Sequence, residues 1–213
     1  MTTNKDLIQQ LGALSTATLH EAQGQTGAMN HDIKPINPAC RLVGKALTVD
    51  TRPDDNLMLH HALSKARPGD VIVVNAKGFL EAGLWGDLMT LGALQRGVAG
   101  LVIDGAVRDA DAIAQMGFPV FCKGLSIKGA NKTLAGAINQ PIVCGGVAVN
   151  SGDIVVGDRD GVVIVPAERA QATLDNALAR EQKEDAIRQR LKAGETTVSI
   201  LGLEDKLQSL GFD

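Results

Sequence analysis

The sequence predicts an α/β fold in which layers of sheet and helix pack together, and three observations support this. Short β-branched runs alternate with helix-like segments over residues 70–116, the pattern of βαβ units over a parallel sheet. Residues 140–166 are almost all strand and turn. Residues 167–194 then form a long amphipathic segment. We therefore expect a layered β/β/α sandwich with a C-terminal helix.

The N-terminal third predicts helices on either side of a strand. "NKDLIQQLGAL" and "STATLHEAQGQTG" are helix-like, and Thr18 and Glu21 in the second have capping-box spacing. "CRLVGKALTVDTRP" is strand-like, with apolar residues such as Leu42, Val43 and Val49. "DDNLMLHHALSKARPGD" predicts a helix that ends near Pro68 and Gly69.

The central third carries the βαβ pattern. "DVIVVNA" is a β-branched run of the fully buried kind, and a helix is predicted after Gly83, ending at Gly97. Leu101, Val102 and Ile103 predict the next buried strand. A further helix is expected from Asp109 to about Met116.

The last third is β-rich and then helical. Turns are predicted at Ser151-Gly152-Asp153 and over residues 158–161, between valine-rich strands. Gly145 and Gly146 are expected inside strands, so they do not form a dinucleotide-binding loop. Residues 196–213 receive no assignment.

Size and composition exclude several classes of protein. The chain has 213 residues, 45% of them hydrophobic, which fits one domain over residues 1–213. The net charge of −3 and the 2% aromatic content argue against nucleic acid as a direct ligand. No apolar run is long enough to span a membrane, and no signal peptide is apparent, so we expect a cytoplasmic protein. The three separated cysteines predict buried thiols rather than disulfides or a zinc site.

Two strand-to-helix junctions carry the polar residues of the candidate site. Asp87 lies in "GLWGDLM", and Arg108 and Asp109 lie in "DGAVRDADA". If the two strands are neighbours, these three side chains converge in one crevice at the carboxyl edge of the sheet. Glycines such as Gly86 would let the backbone approach an anionic ligand. Oxygen ligands without a His or Cys cluster would favour Mg²⁺ or Mn²⁺.

Structural explanations of the same residues remain open. An aspartate in the first turn of a helix commonly caps it and complements its dipole, and this applies to Asp87 and to Asp109. Arg108 and Asp109 could form a solvated surface pair. His60 and His61 are adjacent on a helix and cannot ligate one ion as an H-x-x-x-H pair, although one of them could line the crevice.

The segment "GLWGDLMTLGALQRGVAGLVIDGAVRDADAIAQMGFPVFCKG" closely resembles the core of the RraA-like superfamily. More narrowly, it is similar to the class II pyruvate aldolases that cleave 4-hydroxy-4-methyl-2-oxoglutarate and 4-carboxy-4-hydroxy-2-oxoadipate. The resemblance runs from about residue 39 to residue 203. It implies a β/β/α-type fold, assembled as homotrimers or homohexamers with the active site at a subunit interface.

The resemblance also implies residue roles. Asp109 would be the direct protein ligand of Mg²⁺ or Mn²⁺, and Arg108 would contact the pyruvyl part of the substrate. Asp87 would orient water at the metal, and the backbone amides just after it, at Leu88 and Met89, would bind the pyruvate carboxylate. Gly86 and Asp87 would belong to the same substrate-binding segment.

A glutamate of the neighbouring subunit would complete the water network; Glu184 matches it best and Glu181 second. Lys132 lies in "SIKGANK", which departs from the usual family wording. Lys132 is either a solvated lysine or a contact for a distal carboxylate.

The implied reaction is metal-dependent retro-aldol cleavage of a 4-hydroxy-2-oxo acid to pyruvate, with oxaloacetate decarboxylation as a side activity. The rival is a non-catalytic RraA-like regulator that binds ribonuclease E or a helicase. The two share a fold, so fold alone does not decide between them. A regulator has no physical reason to keep Asp87, Arg108 and Asp109 together, which favours the enzyme. The physiological substrate, the preferred metal and the choice between trimer and hexamer stay open.

Overall fold

A computed structural model of the protein describes residues 5–212. Its strands are β1 (Lys34–Pro35), β2 (Leu42–Asp50), β3 (Asp70–Gly83), β4 (Gly100–Val107), β5 (Val120–Leu125), β6 (Ala137–Ile138), β7 (Ile142–Cys144), β8 (Val147–Val149), β9 (Ile154–Asp158) and β10 (Gly161–Val165). Its α-helices are α1 (Lys5–Ala13), α2 (Thr16–Ala22), α3 (Leu57–Lys65), α4 (Asp87–Gln95), α5 (Ala110–Gln115), α6 (Ala170–Lys192), α7 (Thr197–Leu201) and α8 (Glu204–Ser209).

The main sheet is mixed, with a parallel centre. Its order is β1-β5-β4-β3-β2-β9-β10, and β6 pairs with the end of β2. β2, β3, β4 and β5 run parallel, which confirms the predicted βαβ units, whereas β9, β10 and β1 are antiparallel to their neighbours. Lys34 of β1 donates a hydrogen bond to the carbonyl of Asp160 beside β10, so the two edges of the sheet approach each other. The sheet is therefore nearly closed.

Helices and a hairpin cover the sheet and give three apolar clusters. The first packs α3, α4 and α5 against β2, β3 and β4, with Trp85 stacked on Phe118 at its centre. The second lies between the sheet and the β7–β8 hairpin. The third packs α1, α2 and α6 against β9 and β10. The layered α/β prediction is confirmed, because each element buries one apolar face on the sheet.

Three local predictions are wrong. Helix α2 is capped by Ser15, whose hydroxyl accepts the Thr18 amide hydrogen bond at 3.0 Å, so the capping box does not begin at Thr18. Gly145 and Gly146 form the turn between β7 and β8, with φ of 54° and 79°, a conformation that side-chain-bearing residues adopt rarely. Strand β3 is longer than the predicted run "DVIVVNA" and continues to Gly83, past two register shifts.

The cysteines and the hydropathy pattern agree with the sequence analysis. Cys40, Cys122 and Cys144 are free thiols. Burial raises the pKa of Cys122 to about 11 and that of Cys144 to about 12, so both stay protonated and unreactive near neutral pH. Among the residues described, no helix has the length and apolarity needed to cross a membrane.

Candidate active site

The pairing of β3 with β4 brings the two predicted junctions together. The strands are parallel and adjacent, and Gly83 lies opposite Ala106 near their carboxyl ends. Arg108 donates its backbone N–H to the carbonyl of Trp85 at 2.9 Å. The Asp87 amide donates to Asp109 Oδ2 at 3.3 Å. The structure therefore places Asp87, Arg108 and Asp109 next to one another, as the sequence analysis predicted.

Asp109 does not serve as a helix cap. It occupies the N-cap position of α5 but makes no side-chain capping bond, and its φ of 57° lies in the left-handed region. This backbone turns the carboxylate away from α5 and towards the start of α4. A non-glycine residue in this region carries some strain, and such residues concentrate at functional sites. The capping explanation fails for Asp109.

Arg108 and Asp109 form an ion pair, as the surface explanation predicted. Arg108 Nε lies 3.4 Å from Asp109 Oδ2, and the two side chains are 42% and 37% exposed. An exposed pair of this kind contributes at most about 1 kcal/mol to stability. The pair is thus too weak to account by itself for the strained backbone at Asp109.

Asp87 is the first residue of α4, and Gly86 is the N-cap. Asp87 Oδ1 accepts the Leu88 N–H at 2.7 Å, so that amide is engaged in this structure and is not a free donor as the resemblance implied. The Met89 amide, by contrast, has no hydrogen-bond partner within residues 5–212. The Met89 amide is therefore a backbone donor that remains for an anion at this helix start.

A cavity of about 190 Å³ opens beside these residues. The junction contributes Gly86, Asp87 and Arg108 to its lining, and other lining residues are Asn56, His60, Trp85, Gly129 and Lys132. Arg108 also lines a second cavity of about 280 Å³, together with Asp109, Leu125, Ser126 and Ile127. Arg108 thus lines both cavities, and each of them is large enough for a small ligand.

Asn56 and His60 also line the cavity. The sequence analysis did not consider Asn56, and it left open whether His60 or His61 lines the crevice. Asn56 and His60 are four residues apart, at the start of α3 and one turn along it, so they share one face of the helix. That spacing was the available signal. Burial of the imidazole, followed by the positive charge of Lys132, lowers the pKa of His60 below its ordinary value. The part of the cavity lined by His60 and Lys132, called the outer wall below, therefore combines a neutral imidazole with an ammonium group.

The buried carboxylate of Asp55 fixes that wall. It accepts hydrogen bonds from the amides of Leu57 (2.9 Å), Thr133 (2.6 Å) and Leu134 (3.0 Å), and from the Thr133 hydroxyl (3.2 Å). Leu57 begins α3, and Thr133 follows Lys132, so one carboxylate ties together the two segments that carry His60 and Lys132. Burial alone would raise the pKa of Asp55, but these hydrogen bonds to the ionised form lower it.

We expect Asp55→Asn to destabilise the protein by about 2 kcal/mol at pH 7, because an amide cannot accept every one of these hydrogen bonds. The depressed pKa means that the carboxylate contributes fully above the unfolded-state value of about 3.9. This contribution is lost as the pH falls through the lower folded-state value. Urea unfolding should therefore show that the difference in unfolding free energy between the wild type and Asp55→Asn becomes smaller from pH 7 to pH 3. A difference that does not change with pH, or an equal loss of stability in Asp54→Asn, would contradict this prediction.

Gly86 leaves room for the Asp109 carboxylate. A Cβ at this position would lie 2.5 Å from Asp109 Oδ2 and 3.1 Å from Arg108 Nε. The φ of Gly86 is −147°, which any residue adopts, so the requirement is space rather than backbone freedom. The absent side chain keeps the two charged groups against the start of α4.

If the site is catalytic, we expect Gly86→Ala to lower its activity at least about 10-fold while the fold persists, because the new Cβ displaces Arg108 and Asp109, the candidate functional groups. Gly92→Ala is the matched control: it lies in the same helix, and its Cβ would meet only Leu63 Cδ2, at 3.4 Å. That change should stabilise the helix by up to about 1 kcal/mol. Activity and thermal unfolding should be measured on both variants. Equal activities would show that the space at Gly86 is not needed.

The residues fit a weakly held divalent ion better than a closed metal centre. Within the described part of the chain, no group of three or more His, Cys, Asp or Glu residues is arranged to hold a metal. Asp109 offers a half-exposed carboxylate, with Asp87 beside it across the space kept open at Gly86. Mg²⁺ accepts such a site, since it prefers oxygen donors and retains several waters.

Glu184 does not reach the site within its own chain. Its two carboxylate oxygens form ion pairs with Arg180 (2.8 Å) and Arg188 (3.0 Å) on α6, and it lines neither of the cavities described above. Glu181 accepts a hydrogen bond from the Thr18 hydroxyl at 2.9 Å. A role for either glutamate would require a neighbouring subunit and stays a prediction.

Comparisons with known proteins agree with this geometry. Residues 15–164 match the sequence model of the RraA-like family, described as Aldolase/RraA. A protein of Halalkalibacterium halodurans named "Putative 4-hydroxy-4-methyl-2-oxoglutarate aldolase" is 40% identical over 185 residues, covering 87% of this chain and 88% of that protein.

Comparison with solved structures also points to the RraA-like family. An uncharacterized protein from Pseudomonas syringae pv. tomato superposes with a TM-score of 0.81 at 31% identity, covering 92% of this chain and 96% of that one. RraAS2 of Streptomyces coelicolor, called an unusual member of the RNase ES inhibitor RraA protein family, has a TM-score of 0.78 at 33% identity and covers 88% and 98%. The relatives thus include a protein named for aldolase activity and one named for ribonuclease inhibition.

Proposed function

The chain belongs to the RraA-like family, and from this premise we propose that it is a divalent-metal-dependent pyruvate aldolase. The proposed substrate is a 4-hydroxy-2-oxo diacid or triacid, such as 4-hydroxy-4-methyl-2-oxoglutarate or 4-carboxy-4-hydroxy-2-oxoadipate. Cleavage of the C3–C4 bond releases pyruvate, and the decarboxylation of oxaloacetate is the expected side activity. The observation that carries the proposal is the meeting of Asp87, Arg108 and Asp109 around the space at Gly86.

Asp109 is the proposed protein ligand of Mg²⁺ or Mn²⁺, with Asp87 in support. When bound, such an ion would act as a Lewis acid on the keto and carboxylate oxygens of the pyruvyl half. Asp87 Oδ1 holds the Leu88 amide, whereas no residue of the described range donates to its Oδ2. Asp87 Oδ2 is therefore free to orient the water that accepts the C4 hydroxyl proton.

Arg108 is the proposed stabiliser of the enolate. Retro-aldol cleavage and decarboxylation both leave an enolate on the pyruvyl half, so negative charge grows on the former keto oxygen. A guanidinium fixed at the end of β4 lowers the energy of that charge more than the energy of the neutral carbonyl. The Met89 amide at the start of α4, which has no partner among the described residues, suits the C1 carboxylate.

The outer wall suits the distal carboxylate of the substrate. Lys132 and His60 line the cavity together, and Asp109 is not among its lining residues. An ammonium beside an imidazole attracts a carboxylate, and the bound anion would favour protonation of His60. This placement supports the hypothesis that Lys132 contacts a distal carboxylate of the substrate over the hypothesis that it is only a solvated lysine. It also favours diacids over pyruvate-like monoacids as substrates.

A neighbouring subunit is part of the proposal. Apolar side chains surround the charged pair and face outward: Leu88 is 76% exposed, Leu125 61% and Ile127 95%. An exposed apolar rim around a polar site is typical of an interface. A homotrimer or homohexamer would cover this rim and could bring Glu184 of the partner to the water beside Asp87.

The test is pyruvate release from 4-hydroxy-4-methyl-2-oxoglutarate and from oxaloacetate, with Mg²⁺ or Mn²⁺ and with excess EDTA. The proposal expects pyruvate from both substrates and its loss with EDTA. Pyruvate from oxaloacetate alone would keep the enolate chemistry and change the substrate. The absence of product from folded protein with either metal would refute the proposal and favour a regulator of the kind represented by RraAS2.

A further inference from the structure

Asn56 lines the candidate cavity and carries an acceptor that has no partner among the described residues. The residue lies directly before α3, is 6% exposed, and lines the cavity with His60, Arg108 and Lys132. Its Oδ1 is buried and accepts no hydrogen bond from any residue in the range 5–212. Leaving a buried amide oxygen unpaired costs about 1–3 kcal/mol, so such an atom calls for a donor.

The orientation of the Asn56 amide is fixed by its other end. Nδ2 donates to the carbonyl of Leu84 at 2.9 Å and lies 3.8 Å from Met89 Sδ. Reversing the amide would set two oxygens against each other at Leu84, so Oδ1 remains the unpaired atom. Leu84 and Met89 flank the Gly86–Asp87 turn, which ties Asn56 to the same edge as the candidate catalytic groups.

The neighbouring polar groups have the opposite requirement. Arg108 and Lys132 only donate hydrogen bonds, and both carry positive charge. With Asp87 Oδ2 assigned to a water, a ligand that satisfies the rest of this cavity offers acceptors and negative charge to the two cations and one donor to Asn56. An ionised 4-hydroxy-2-oxo diacid has a single hydrogen-bond donor, the C4 hydroxyl, and all its other polar atoms are acceptors.

We infer that Asn56 is a specificity-determining residue whose Oδ1 accepts a hydrogen bond from the C4 hydroxyl of the substrate. The inference rests on the proposed function and adds the group that distinguishes hydroxylated from non-hydroxylated 2-oxo acids. The bond belongs to the bound ground state, since the same hydrogen leaves towards the Asp87 side during cleavage. Oxaloacetate has no such hydroxyl and leaves Asn56 unpaired.

The test compares two substrates in Asn56→Leu, which keeps the number and branching of the side-chain heavy atoms and removes the acceptor, together with the donor to the Leu84 carbonyl. We expect kcat/KM for 4-hydroxy-4-methyl-2-oxoglutarate to fall at least about 10-fold, mainly through KM, and kcat/KM for oxaloacetate to change less than about 3-fold. Asn131→Leu is the matched control, because Asn131 is an exposed amide that bonds to Asp54 and does not line the cavity. An equal fall for both substrates, or no fall, would overturn the inference.

A binding measurement separates this inference from the proposed function and does not depend on the variant folding. Malate, as both enantiomers, and succinate share two carboxylates and differ in one hydroxyl. Calorimetric titration of the Mg²⁺-loaded wild-type protein should show tighter binding of one malate by about 10-fold, and Asn56→Leu or Asn56→Ala should remove the difference. If the wild-type protein does not prefer malate to succinate, the inference about Asn56 is overturned. If it prefers malate but releases no pyruvate, only the proposed aldolase function is overturned.

Discussion

Asp109→Asn should abolish metal-dependent pyruvate release, with kcat falling at least about 10³-fold, because a Lewis acid supplies several kcal/mol to enolate formation. Asparagine is the informative replacement. It has the same shape, and it tolerates the left-handed backbone that Asp109 adopts at φ 57°. Alanine at this position would lose about 1 kcal/mol more stability, which would confuse loss of metal with loss of fold.

Two measurements check the Asp109 prediction. Mn²⁺ binding, followed by electron paramagnetic resonance, should weaken strongly in Asp109→Asn, while the thermal unfolding midpoint stays close to that of the wild type. Asp111→Asn is the control, because Asp111 lies in the first turn of α5 and is exposed. Substantial activity in Asp109→Asn, or equal Mn²⁺ affinity, would remove Asp109 from the metal site.

The core of the fold and the charged centre of the site were predictable from local patterns. The run Leu101–Ile103 is buried on both faces, as a β-branched strand of a covered parallel sheet must be. Once β4 was placed beside β3, the convergence of Asp87 with Arg108 and Asp109 followed from the direction of parallel strands. Both inferences use residues that are close in sequence to a strand end.

The outer wall of the cavity was not predictable in this way, because its contacts join distant parts of the chain. Asn56 meets Asn131 through its backbone N–H at 2.9 Å, and Asp55 holds Thr133 and Leu134. No periodicity links residues 54–57 to residues 131–134. The irregular end of β3 likewise depends on register shifts against β4, which the glycines alone do not specify.

Arg108→Ala should lower kcat at least about 10²-fold for the 4-hydroxy substrate and for oxaloacetate alike, the usual scale for removing a preorganised group that stabilises developing charge. Both reactions pass through the same enolate, so they should fall together, unlike in Asn56→Leu. Arg108→Lys should recover part of the rate, since it keeps the charge but loses the planar fork. Arg96→Ala is the control, because Arg96 is exposed and its guanidinium donates to the Ser64 carbonyl at 2.8 Å, away from the candidate site.

Metal affinity gives Arg108→Ala a second, independent readout. Arg108 Nε lies 3.4 Å from Asp109 Oδ2, so its positive charge opposes a cation at that carboxylate. Its removal should leave Mn²⁺ affinity unchanged or tighter while the rate falls. This opposite movement of affinity and rate would assign Arg108 to the enolate, since a merely structural loss would weaken both. A rise in KM with kcat unchanged would instead make Arg108 a substrate-binding residue without a part in stabilising the transition state.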